Sequence, residues 1–377
     1  MKKGIKITAI ALASAIGFVL MVVGGYIAYV CVQYYRIPDR HALELSSEAG
    51  QKAAIGESYV ISTYNIGFGA YSHDFSFFMD SGTMKDGTAV SGVNSVAKDK
   101  QTVLDNTHGA LNTILSLKEN PQVGRMPDFL FFNEVDVAAT RSHGVNQFDL
   151  LKTKLNGYVS SFAHNFHSAY LFYPVYEPHG KTEAGLATFS SRAIAKAERR
   201  SFPIDESFPT RFFDLDRCFA VHYLPIEGSD KFLVLINLHM SAYDEGGKIR
   251  AKQLEMLNGV LTEEYEKGNY VVAGGDFNHD IVDSMNLFET QQEVPAWVFQ
   301  LKDKDLAEHF SFAGAVNCAT CRSTDMPYKK GVNYSAVLDG FIVSDNVEVE
   351  WNYNVDADFR YSDHNPAVMK FRLKATV

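Results

Sequence analysis

Cysteine is scarce in this chain. Cys31, Cys218, Cys318 and Cys321 are the only four among 377 residues, too few for a disulfide-held scaffold. Tryptophan is scarcer, with two residues, so aromatic core volume must come from 27 Phe and 19 Tyr. A basic surplus is also lacking: 35 Lys and Arg face 45 Asp and Glu, for a net charge of -10. The first 35 residues hold three lysines and no acid, so the rest carries -13. Such a body excludes a passive polyanion binder, which needs a basic face. The one basic cluster is Lys196, Arg199 and Arg200. It does not exclude an enzyme that meets a phosphate through a bound cation. Internal repeats and low-complexity segments are absent. Hydrophobic residues make up 46% and charged residues 21%, an ordinary globular balance that excludes wholesale disorder. The length suits one large domain or two medium ones.

Long apolar runs are limited to the N-terminus. Residues 1–6 are basic, through Lys2, Lys3 and Lys6, and no charge occurs from Ile7 to Val32. A bilayer core needs about 20 apolar residues, whereas the apolar region of a signal peptide spans about 7–15. The run continues past Ala13-Ser14-Ala15 and ends near Tyr34-Tyr35, an aromatic pair suited to a membrane interface. Residues 7–35 are therefore expected to form one uncleaved transmembrane anchor. The lysines before it keep the N-terminus cytoplasmic and the C-terminal body outside. Residues 36–58 are polar and read as a stalk, and residues 59–377 as one domain.

Within that domain, "YVISTYN" (59–65) is strand-like. Residues 66–94 form a long, aromatic-rich loop, a length that is usually functional. Helical spacing runs from Lys98 to Lys118, through Val103, Leu104, Leu111, Ile114 and Leu115. Strands are expected at 128–135, within 160–226 ("AYLFYPV", "GLATFSS", "CFAVHYLPI"), and at 231–239, 270–274, 337–344, 347–355 and 367–373. Helices are expected at 145–155 and 248–267. Strands outnumber helices and alternate with them, an α/β or α+β layered sandwich.

Several apolar runs end in functional groups: "STYNIG" in Asn65, "DFLFFNEVD" in Glu134, "VLINLHMSAYD" in His239 and "VVAGGDFNHD" in Asp276 and Asn278. "VLDGFIVS" carries Asp339, and "YSDHNP" places Asp363 and His364 before the last strand. Ligand sites form at strand ends in sheet enzymes. Singly, each group has a blander reading as a turn cap or a satisfied buried side chain; together they describe a site. Oxygen donors of this kind suit a hard cation such as magnesium, which takes one or two carboxylates plus phosphate oxygens. Asn65 and Glu134 are the natural ligands, with Asp363 as a third. Histidines beside them handle protons or donate to phosphate. Asp276 orients or deprotonates water, and Asp339 holds His364 in one tautomer.

These motifs, in this order, resemble the endonuclease/exonuclease/phosphatase superfamily over roughly residues 59–373. The resemblance implies a four-layer α/β sandwich of two mixed β-sheets flanked by helices, here preceded by one transmembrane helix. It also implies hydrolysis of phosphate esters with Mg2+, Mn2+ being the alternative. Asn65 and Glu134 would sit at the metal and His239 would match a catalytic histidine. Asp276 and Asn278 would position water and phosphate, Asp339 would pair with His364, and Asp363 with His364 would close the site. Asn133 stands where the family often has Gln, and the loop from Gly67 to Asn94 is longer than in compact nucleases.

The substrate stays open between nucleic acid, a phospholipid headgroup and a soluble phosphate ester, and no obligate protein partner is implied. A non-catalytic surface binding module on the same scaffold is the alternative. A thiol-redox protein built on Cys318 and Cys321 would leave the other motifs unexplained. The cysteine pair reads as a short disulfide or free thiols, His279 and Asp280 as loop residues, and Asn333-Tyr334-Ser335 as a chance sequon.

Overall fold

The computed structural model describes residues 2–47, 50–208, 210–212, 216–242 and 248–375, with side chains from residue 4 onward. It opens with helix α1 (Lys2–Gln33), β1 (His41–Ala42), β2 (Ser58–Asn65), β3 (Ser81–Thr83) and β4 (Ala89–Ser91). Then come α2 (Lys100–Leu115), β5 (Phe129–Asp136), α3 (Gln147–Lys154), β6 (Val159–Leu171), β7 (Gly180–Ser190), β8 (Lys196–Ser201), β9 (Cys218–Pro225) and β10 (Phe232–His239). The chain closes with α4 (Lys248–Glu266), β11 (Tyr270–Asp276), β12 (Phe310–Ala313), β13 (Cys321–Arg322), β14 (Ser335–Ala336), β15 (Asp339–Ser344), β16 (Val347–Asn354) and β17 (Ala367–Leu373).

Two mixed sheets carry the fold. One runs β1-β8-β9-β10-β11-β15-β12 and the other β16-β17-β2-β5-β7-β6. Alternation along the strands explains why they stack, since successive side chains point to opposite faces. Tyr59 and Ile61 of β2, and Phe129 and Phe131 of β5, meet Leu233, Leu235 and Val272 of the other sheet in the central core. Val60, Tyr64, Leu130 and Phe132 point outward under Ala110, Leu111 and Ile114 of α2 and Leu151 of α3. On the far side, Val234 and Ile236 pack under Leu257, Val260 and Leu261 of α4. Helix, sheet, sheet, helix is the expected four-layer sandwich. Asp99 caps α2 by accepting the Thr102 amide at 2.7 Å, so the helix starts later than its apolar spacing suggests.

Three segments differ from their sequence reading. The basic cluster is strand β8. Arg199 is buried, its guanidinium 3.3 Å from Asp216, and Arg200 reaches Asp39 at 3.0 Å. These cations are spent on internal pairs and offer no phosphate-binding face. The described residues of 36–58 lie along the body: β1 pairs with β8, Ala53 is fully buried, and Arg36 meets Asp216 at 2.9 Å. "AYLFYPV" is strand only to Leu171; the rest is the turn of the β6–β7 hairpin.

Helix α1 is apolar enough to cross a membrane from Gly4 to Gln33, with a mean hydropathy of 2.4 in its most apolar window. The tyrosine pair that follows it is engaged by the body. Tyr34 packs edge-on against Phe212, and Tyr35 stacks on His167 at 3.9 Å.

Candidate active site

Strands β10 and β11 run parallel and end together, pairing His239 with Asp276. Strands β2 and β5 also run parallel and pair Asn65 with Asn133. The same end of the sandwich therefore collects Asn65, Glu134, His239 and Asp276, and Asp339 joins as the register partner of Asp276.

Asp276 is the hub. Its Oδ1 accepts the Asn278 amide at 2.7 Å, and its Oδ2 accepts Asn65 Nδ2 at 3.0 Å. His239 Nε2 lies 3.5 Å from that same oxygen and His364 Nε2 lies 3.6 Å from it. His364 Nδ1 is 2.7 Å from Asp339 Oδ2, a contact that fixes the imidazole's orientation. Asp276, Asp339 and His364 bring donor atoms within 4.8 Å of one another. The side chains of Asn65, Glu134, His239, Asp276, Asp339 and His364 take part in this direct network; Asn278 joins it only through its backbone amide and Asp363 lies beside it. Asn278 is turned away by a left-handed φ of 53° and donates its amide to the Met240 carbonyl at 2.8 Å. It braces the turn that aims Asp276.

The two outer carboxylates differ from the buried set. Glu134 sits at a bulge in β5 with φ 52° and a side chain 24% exposed. Bulges re-aim side chains next to sites. Asp363 is also half-buried, beside Gly67. Burial raises the pKa of Glu134 and the nearby Asp363 raises it further; burial likewise raises Asp363. Two partly open carboxylates whose charge is opposed by burial fit a divalent cation, whose charge would relieve both. Asn65 presents its amide N–H to Glu134 Oε1 at 3.1 Å, while its oxygen accepts the Gly67 N–H at 3.0 Å. In this orientation it supports the carboxylates as a donor.

The two imidazoles are set apart. Burial holds His239 well below the ordinary imidazole value, and the cationic Arg217 adds to this; it is neutral at pH 7. Burial also opposes charge on His364, but the Asp339 carboxylate outweighs it and holds His364 well above the ordinary value. Asp339 itself is pushed up to about 6 by burial against the pull of His364, so at pH 7 the pair is carboxylate and imidazolium. A neutral histidine and a cationic one thus flank one carboxylate.

Sequence reasoning missed two arginines. Arg141 is buried, bonds Asp136 at 2.8 Å and lies 3.9 Å over the Phe68 ring. It is close enough to Glu134 to favour that carboxylate's charge. Arg322 is buried beside Asp363, whose carbonyl accepts its amide at 3.0 Å. Neither belongs to a periodic pattern; Arg322 follows "CATC" directly, the one local signal. That segment walls the site: Thr320 Oγ1 accepts the Leu338 and Asp339 amides, and the backbones of Cys321 and His364 form an isolated antiparallel β-bridge. All four cysteines are free, and burial pushes Cys318 and Cys321 up to about 12, which makes them poor nucleophiles. Asn133 ties the sheets by donating to Asn237 Oδ1 and the Leu238 carbonyl, both at 3.1 Å. Asp280 braces its loop by accepting the Val282, Ser284 and Met285 amides. Asn333 is buried, with its amide donating to the Ser323 carbonyl, so it is closed to glycosylation. Tyr243 and Asp244, at the end of the His239 motif, lie outside the described residues.

No family model matches the chain, and no curated protein matches it. Solved structures do. An endonuclease/exonuclease/phosphatase protein from Beutenbergia cavernae DSM 12333 superposes with a TM-score of 0.53 at 16% identity, over 84% of this chain and 72% of that one. TDP2 from Caenorhabditis elegans gives 0.50 at 14% identity, over 84% and 75%. A humanized D. rerio TDP2 gives 0.50 at 13%, over 84% and 99%. The chain therefore has the endonuclease/exonuclease/phosphatase fold.

Proposed function

We propose that this protein is a divalent-metal-dependent hydrolase of phosphate esters, held in a membrane by α1 with its body outside. The observation that carries the reading is Asp276 Oδ2, buried at the end of β11 and faced within 3.6 Å by Asn65, His239 and His364. A carboxylate between a neutral and a cationic imidazole is an acid–base arrangement.

In this reading Glu134 and Asp363 hold Mg2+, or Mn2+ in its place, backed by the Asn65 amide. When bound, such an ion would offset negative charge on the phosphate. Asp276 receives the proton of the attacking water, with His239 as its neighbour. His364, kept charged by Asp339, donates to a phosphoryl oxygen where negative charge develops. Water thus adds to phosphorus as the ester bond breaks, and the departing oxygen leaves as the alcohol by taking up a proton from solvent, while Asp276 releases the proton that it received. The sidedness rests on Lys2, Lys3 and Lys6 before the span. Arg36 after it is neutralised by Asp216 at 2.9 Å, which weakens the opposing signal.

The test is hydrolysis by the full-length protein in detergent, with magnesium and then with chelator, across DNA, RNA, phospholipids and a chromogenic diester. Metal-dependent turnover that is lost in both Asp276→Asn and His364→Ala is expected. A folded protein that binds no divalent ion and turns over nothing would point instead to a non-catalytic binding module.

A further inference from the structure

The β6–β7 hairpin overhangs the site end of the sandwich. Asp136, at the end of β5, pairs with Ala184 of β7, and β6 and β7 run on together to Leu171 and Gly180. Beyond them the turn holds Phe172, Tyr173, Pro174, Val175 and Tyr176, of which Phe172 is 57% exposed, Tyr173 67%, Val175 84% and Tyr176 70%. The first charge after the turn, Glu177, is drawn inward to the Ser95 amide at 2.7 Å. The long loop after β2 widens this surface. Phe78 packs on Tyr173, the Tyr176 hydroxyl donates to the Val93 carbonyl, and Met79 and Val93 are themselves exposed. Water is a poor solvent for so contiguous an apolar surface.

Helix α1 says what covers it. The helix and β6 run antiparallel and in contact. Tyr35 stacks on His167, Tyr29 Oη accepts the Tyr170 amide at 3.2 Å, and Tyr26 Oη donates to the Tyr170 carbonyl at 3.1 Å. Tyr26 also meets the Phe172 ring edge-on at 5.4 Å. Tyr26 lies seven residues before the helix end at Gln33, about 10 Å along the axis. The uncharged run from Ile7 to Val32 is about 39 Å long as helix, some 9 Å more than the hydrocarbon core of about 30 Å. The last turns of α1, with Tyr26 and Tyr29, then lie in the interfacial layer where tyrosines concentrate. Whatever touches them lies there too.

We propose that the hairpin turn and the loop beside it form a lipid-docking ledge that seats in the interfacial layer next to α1. The ledge turns the Glu134–Asp276 end of the sandwich toward the bilayer surface. The occupant is phospholipid, and the proposal rests on the reading of α1 as a membrane span. It narrows the proposed hydrolase to phosphate esters carried at that surface.

The test uses the full chain reconstituted in phosphatidylcholine vesicles with brominated acyl chains. Val175→Trp reports on the ledge. Gln122→Trp, exposed at the opposite end of the sheet before β5, is the control, and the unsubstituted protein gives the background of Trp297 and Trp351. The ledge residue is expected to shift its emission to the blue and lose intensity to the bromines, with Gln122→Trp unchanged. Adding Tyr173→Asp to Val175→Trp should reverse both effects while circular dichroism shows the fold intact. Retention of the protein in carbonate-washed vesicles without quenching at position 175 would overturn the ledge; release by carbonate would overturn the anchor and the ledge together. Quenching that persists in Asp276→Asn separates docking from catalysis. If it holds in a protein that hydrolyses nothing, the hydrolase reading fails and the ledge stands.

Discussion

One chemical change at two glycines should have opposite effects. Gly275 lies in β11 between two partners, Leu238 of β10 and Gly340 of β15. Its φ is 147°, and an added Cβ would lie 1.9 Å from the Leu238 carbonyl oxygen and 2.9 Å from its carbon. The obstruction is backbone in a central strand, so no rotamer change relieves it. Overpacking of a core typically costs about 1–3 kcal/mol, and an unfavourable backbone conformation about 1–3 kcal/mol more. Gly275→Ala should therefore destabilise by about 2–6 kcal/mol, a large share of a typical stability of about 5–15 kcal/mol. Gly259 is exposed in α4 with nothing within 4 Å of its added Cβ. There the same methyl removes helix-disfavouring freedom and should stabilise by about 0.5–1 kcal/mol. Urea unfolding of both variants, followed by near-ultraviolet circular dichroism, reads the two signs. Wherever Gly275→Ala still folds, the opened strand pair displaces Asp276, and a shift of about 1 Å can cost about a hundredfold in rate. Wild-type stability in Gly275→Ala, or equal losses in both variants, would refute the steric argument.

Three further outcomes follow from the charges. Burial pushes His222 down to about 4 from an ordinary 6.5, while it bonds Ser161 across the sheets at 2.7 Å. The unfolded chain then takes up this proton at higher pH than the native one, so stability present above pH 6.5 is lost as pH falls toward 4. The loss amounts to about 3 kcal/mol, and His222→Gln should flatten urea unfolding curves compared at pH 7 and pH 4.5. Glu134→Gln removes a buried charge that Asp363 opposes and should raise stability without metal by about 1 kcal/mol, whereas Asp363→Asn also gives up the attraction of His364 and Arg322 and should not. Magnesium should raise the melting temperature of the parent and not of these variants. Arg141→Leu leaves Asp136 buried without its partner and should cost about 3–5 kcal/mol, much of it recovered by adding Asp136→Leu; thermal melts of the single and double variants decide this.

Much of this architecture was legible because its signals are local. Alternation in "YVISTYN" and "DFLFFNEVD" marks strands whose two faces are both buried, and the structure puts those faces in two different cores. The polar residues were legible because each ends such a strand, and parallel pairing brings strand ends together without any long-range clue. What stayed hidden depends on partners distant in sequence. "KAERRS" has no apolar face, yet Arg199 is buried because Asp216 and the His164 carbonyl receive its guanidinium. The segment 36–58 is polar yet pairs with that same strand. The hairpin turn carries strand-forming residues in "LFYPV", and only the end of the β6–β7 pairing at Leu171 and Gly180 separates a surface turn from a core strand.

The site and the ledge share one construction. The loop after β2 begins at Gly67, where its amide is held by Asn65 and its Cα faces Asp363. It returns at Ser95, whose hydroxyl and amide hold Glu177 of the hairpin and whose carbonyl meets His179 Nδ1 at 2.9 Å. Between those ends Phe68, Tyr71 and Phe75 are buried, while Met79 and Val93 are exposed. One continuous segment therefore joins the carboxylates that would hold a cation to the apolar turn that would meet lipid. A displacement at the turn has a covalent and hydrogen-bonded route to Asn65, the residue whose amide touches both Glu134 and Asp276. If the turn docks and the site is catalytic, this route would link the two. For a hydrolase of membrane-borne esters this makes turnover on vesicles exceed turnover on the same ester dispersed in detergent.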